Sequence, residues 1–156
     1  MSNDRVMDRI NAAINTLHAG ERAQAATSLA SIYAEISDRG DPFHLCILSH
    51  FMADAQNDPE RELEWDLRAL EAAAKVTEQR AKDHHSSLSI SSFYPSLHLN
   101  AGDAYLRLGM IEQARKHVLA AQACLTDVAD TPLGDMTRAA IGRLADRVEA
   151  VYTPRG

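Results

Sequence analysis

Apolar residues recur along this chain at intervals of three and four, the period of one helix face, and seven segments carry the pattern. The first is expected from about Asn3 to His18, with Val6, Met7, Ile10, Ala13, Ile14 and Leu17 on one stripe. His18-Ala19-Gly20 breaks it, the glycine suiting a left-handed helix end. The second, from about Glu21 to Ser37, turns Ala25, Leu29, Ile32 and Ile36 inward. Asp41-Pro42 and Asp58-Pro59 each read as an N-cap followed by proline in the first helical turn. They open a third helix ending near Gln56 and a fourth with two apolar stripes: Leu63, Leu67, Leu70 and Ala74, and Trp65, Ala69, Ala72 and Val76. Two stripes predict that the fourth helix lies between neighbours. The serine-rich stretch 82–93 interrupts the period and reads as a loop inserted between repeats. Pro95 is expected to restart a helix reaching Leu108, with Leu97, Ala101, Tyr105 and Leu108 on one face. A sixth helix follows Gly109, from Ile111 to about Asp127, with Ala114, Val118, Ala121 and Leu125 inward. Asp130-Thr131-Pro132 closes it, and a last helix from Leu133 carries Met136, Ala140, Leu144, Val148 and Val151.

Two helix–glycine–helix units are alike. One runs Ala12-Ala13 … Gly20 … Ala25 … Leu29, the other Ala101-Gly102 … Tyr105 … Gly109 … Ala114 … Val118 … Ala121. Small residues let antiparallel helices approach, and glycine permits the tight reversal. The stretch Asn100 to Ala114 closely resembles a tetratricopeptide repeat, of the short bacterial type: Gly102, Tyr105, Gly109, Ala114 and Ala121 match its small and aromatic positions. His98 stands where tryptophan is common and Thr126 where proline is common. The unit over 41–77 departs further, with Asn57-Asp58 in place of glycine. The fold class is therefore expected to be all-α, an α-solenoid of about three antiparallel helix-pair repeats plus a C-terminal capping helix. One domain is expected over 1–152, with a frayed tail at 153–156.

The resemblance implies a concave groove lined by the first helix of each pair, and a peptide or protein segment as ligand. In the repeat register the third unit would line it with Ser96, Leu99, Asp103, Leu106 and Arg107, and the second with His44, Ile47, Phe51 and Asp54. Such a surface offers a peptide both charged and apolar contacts. Asp103 and Arg107, one helical turn apart, are also placed to pair with each other. Self-association through apolar surface left by the capping helix is a further expectation.

The net charge is -6, with six acids and one base between Asp54 and Asp66. Such a face repels a phosphate backbone, so nucleic acid is not the expected partner. Polar and mixed in charge, MSNDRVMDRI is not expected to act as a secretory leader, and no apolar run has the length of a membrane span. Two cysteines do not make a disulfide framework. A cytoplasmic protein with reduced thiols is expected.

No Walker, HExxH or GxSxG pattern is present, so an enzyme is not the expected reading. Chemistry could come only from a constellation built by the fold. Cys46 and His50 share one helical face, and His98 holds in the third unit the position Cys46 holds in the second. Thiolate and imidazole donors suit zinc or copper. Against the binding module therefore stands an alternative: a metal- or small-molecule-binding accessory enzyme using Cys46, His50 and His98. The plainer expectation makes Cys46 a small buried hydrophobe and His50 and His98 packed side chains with polar partners.

Overall fold

A computed structural model describes residues 4–76, 90–128 and 130–152. Among these residues there is no strand. The helices are α1 (Arg5–His18), α2 (Arg22–Ile36), α3 (Pro42–Asp54), α4 (Pro59–Ala73), α5 (Ile90–Arg107), α6 (Ile111–Ala123) and α7 (Pro132–Val151), with a 3₁₀ turn at Leu125–Asp127. The fold is all-α and built of helix pairs, as the periodicity predicts. The chain divides into two compact units, residues 1–87 and 88–156.

In the first unit α1 pairs with α2 and α3 with α4, and α3 also packs on α1 and α2. The α1–α2 bend is at Gly20, whose φ of 89° lies in the left-handed region that a side chain disfavours. Asp41 and Asp58 cap α3 and α4 by accepting from the backbone N–H of Phe43 and Glu60. Each proline that follows occupies a first-turn position where no N–H is needed. The helix enclosed on most sides is α3, with Phe43, Cys46, Ile47, Leu48, Met52 and Ala53 all buried. This corrects the expectation for α4, whose buried face is Asp66, Ala69, Ala72 and Ala73 while Leu67 is exposed. Small alanines let α4 lie close to α3, while Leu63 and Leu70 of the other stripe are half-buried.

In the second unit α5 and α6 pair around Gly109, at φ 77°, and α7 packs on both. Pro95 lies inside α5 and does not start it, because the helix already begins at Ile90. Most of the expected 82–93 loop lies outside the described residues. Thr131 caps α7 through the N–H of Gly134. The core joins Ala114 and Val118 of α6 to Leu144 and Val148 of α7, with Leu99, Tyr105 and Leu106 against it. The inward stripe of α7 is Gly134, Ile141, Leu144 and Val148. Met136 and Val151, expected inside, are 67% and 53% exposed.

Candidate functional site

On the first unit, the residues expected to line a groove separate into two kinds. His44 and Ile47 are buried, at 8% and 6% exposure. The His44 Nε2–H donates to Asp4 Oδ2 at 2.8 Å, while Asp4 Oδ1 accepts from the N–H of Met7. His44 thus ties α3 to the N-cap of α1 and is not open lining. Phe51 and Asp54 remain accessible near the end of α3. The Phe51 ring meets His50 edge-on at 5.0 Å and His18 of α1 at 6.2 Å. Burial holds the His50 imidazole below its ordinary range, against the pull of Asp54. Asp54 is held above the ordinary carboxylate range by desolvation, partly offset by His50, His18 and Arg22. These residues make an aromatic and mixed-charge surface where α1 ends and α3 ends.

On the second unit, Ser96, Leu99, Asp103 and Leu106 of α5 are half-buried and Arg107 is exposed. Leu99 and Leu106 rest on the α6–α7 core. Asp103 accepts from Arg107 Nε at 2.9 Å and from Arg147 of α7 at 3.1 Å. The expected Asp103–Arg107 pair is therefore present. Its second cation, Arg147, was not foreseen, because periodicity on α7 alone does not say which neighbour its polar face meets. Two guanidiniums thus gather around the Asp103 carboxylate on a helix that also carries the half-buried Leu99 and Leu106.

The residues of the metal alternative have separate surroundings. Cys46 is 1% exposed, and burial alone pushes its thiol up to about 12, so it is protonated at neutral pH. Its neighbour one turn on, His50, is in ring contact with Phe51. His98 lies in the second unit, where its Nδ1 is 3.0 Å from Nδ1 of His117 on α6. Among the described residues no group of three or more His, Cys, Asp or Glu is placed to hold a metal ion. His117 is the residue that sequence reasoning missed. The signal was there, since an antiparallel hairpin bent at Gly109 brings residues at similar distances on either side of it together.

A cleft of about 230 Å³ lies between α2, α3 and α4, lined among others by Tyr33, Ser37, Ser49, Arg68 and Lys75. Arg68 stacks 4.3 Å over the ring of Trp65 and 5.6 Å from that of Tyr33. The cleft is smaller than the roughly 300–1,000 Å³ of ordinary small-molecule pockets. No helix among the described residues is long and apolar enough to cross a membrane.

No protein-family model matches the chain. No curated protein matches it either. Two solved structures are similar in fold. One is the Yersinia enterocolitica type III secretion chaperone SycD, solved in complex with a peptide of the translocator YopD. It has a TM-score of 0.65 at 13% identity, over 96% of this chain and 95% of that one. The other is PcrH from Pseudomonas aeruginosa, with a TM-score of 0.56 at 17% identity over the same shares. At these identities the likeness defines the class of fold, an all-α helix-pair repeat.

Proposed function

We propose that this chain is a peptide-binding adaptor or accessory protein that holds an extended segment of a partner protein. The carrying observation is the surface of α5, where the Asp103–Arg107–Arg147 cluster adjoins Leu99 and Leu106. An acidic side chain of the ligand would join the two guanidiniums, and an apolar side chain would cover the leucines. The fold likeness to SycD, solved with a bound peptide, supports the same reading. A 15-residue peptide array probed with wild type, Arg107→Glu and Arg147→Glu tests the reading. Wild type should select peptides combining acidic and apolar residues, and each variant should lose most of that signal. An array that neither variant changes would refute it.

A further inference from the structure

The second unit contains a pair of facing histidines that peptide binding does not use. His98 on α5 and His117 on α6 approach with Nδ1 atoms 3.0 Å apart and ring centroids 5.3 Å apart. Each ring is backed by a tyrosine of α5. Tyr94 stacks on His98 with planes 23° apart, and Tyr105 stacks on His117 at 22°. Both imidazoles are part-buried, and each is fixed by a flat partner on one side and the other histidine in front.

We propose that His98 and His117 form a two-imidazole chelate for a borderline transition-metal dication of the zinc or copper(II) class, with water completing the coordination shell. The first argument is distance. Two imidazole nitrogens bound to one ion at about 2.0–2.1 Å, with an angle between about 90° and 110°, stand about 2.9–3.4 Å apart. The observed separation of 3.0 Å falls within that span. The second is donor type: the two facing atoms are imidazole nitrogens, ligands suited to zinc and copper. The third is rigidity. The tyrosine stacks already restrict the rings, so ordering them adds little cost on binding.

The proton balance is simple. In the metal-free pair one Nδ1–H donates to the other Nδ1 lone pair. On binding, the donor ring releases its Nδ1 proton and takes one at Nε2, so both rings remain neutral and present lone pairs to the ion. No net proton is released at neutral pH, and no redox step is involved. Affinity should fall on acidification as protons compete for the same nitrogens. Copper(II) should bind more tightly than zinc at such a nitrogen site.

The test is calorimetric titration of chelator-treated protein carrying no histidine tag, with zinc chloride and separately with copper(II) chloride. The expected result is one ion per chain at micromolar affinity or better, weakened at least tenfold in His98→Gln and in His117→Gln and unchanged in His50→Gln. Nitrogen-15 shifts of the wild-type imidazoles provide a second reading that needs no variant: zinc should move Nδ1 of His98 and His117. Binding at wild-type affinity in either glutamine variant, or shifts confined to other histidines, would mean adventitious ion capture elsewhere and would overturn the assignment.

Discussion

Gly102 of α5 faces Leu144 of α7 so closely that a Cβ built on the glycine would lie 3.1 Å from Leu144 Cδ2. The same Cβ would stand 3.4 Å from the Cβ of His117. This is the point where the hairpin and the last helix come together, and it explains why a glycine is used inside a helix despite its entropic cost. Alanine at position 102 should be nearly neutral, since the flexible end of Leu144 can yield slightly and helix propensity improves. Gly102→Val should destabilise the chain by about 2 kcal/mol, in the range for overpacked cores. Urea denaturation of the two variants checks the contrast.

The bends at Gly20 and Gly109 offer a different test, because space is not the constraint. A Cβ at either position meets nothing within 4 Å, yet both have positive φ. Gly20→Ala and Gly109→Ala should each cost about 1–2 kcal/mol through backbone conformation alone. Asparagine, which tolerates the left-handed region better, should cost less at both sites. The midpoint of chemical denaturation for the four variants decides this.

Asp4 serves two helices at once, capping α1 through Met7 and accepting from His44 of α3. Asp4→Ala removes both bonds and should cost about 2 kcal/mol, a cap of about 1 and a hydrogen bond of similar size. Asp4→Asn keeps a capping oxygen and should cost less. Thermal unfolding followed by circular dichroism separates the two.

Three histidines, His50, His98 and His117, have folded-state proton affinities lowered mainly by burial. The unfolded chain therefore binds protons more readily than the folded one. The stability they contribute is fully present above the ordinary histidine value of 6.5 and is lost as pH falls below it toward the folded values. Chelator-treated protein should accordingly lose denaturation free energy over the pH interval just below about 6.5. His117→Gln should flatten part of that slope. A profile that stays level in this interval would contradict the burial of these rings.

The sequence made local features legible and left contacts between helices obscure. Asp41 and Asp58 could be recognised as caps because capping depends on neighbours a few residues away. Gly20 and Gly109 were legible for the same reason. The direction of α4 was not, since two apolar stripes on one helix do not reveal which one meets α3. Pro95 misled because its fixed φ suits a helix start as well as an early helical turn, and α5 begins at Ile90. Within the candidate site, Asp103 with Arg107 is an i,i+4 pair and readable from spacing. Arg147 joins its partner only through tertiary packing. His44 carried the residue type of a ligand-contacting position, yet its burial against Asp4 makes it part of the scaffold.

In the function proposed here, the α5 surface recognises an acidic, partly apolar segment through Arg107 and Arg147. The most direct measurement is fluorescence anisotropy of the strongest array peptide against wild type and the Arg107→Glu/Arg147→Glu double variant, repeated with a peptide whose acidic residue is changed to lysine. We expect the double variant to bind the original peptide at least tenfold more weakly and to regain affinity for the lysine peptide. Equal affinity of both proteins for the original peptide, in chains shown by circular dichroism to be folded, would contradict the account.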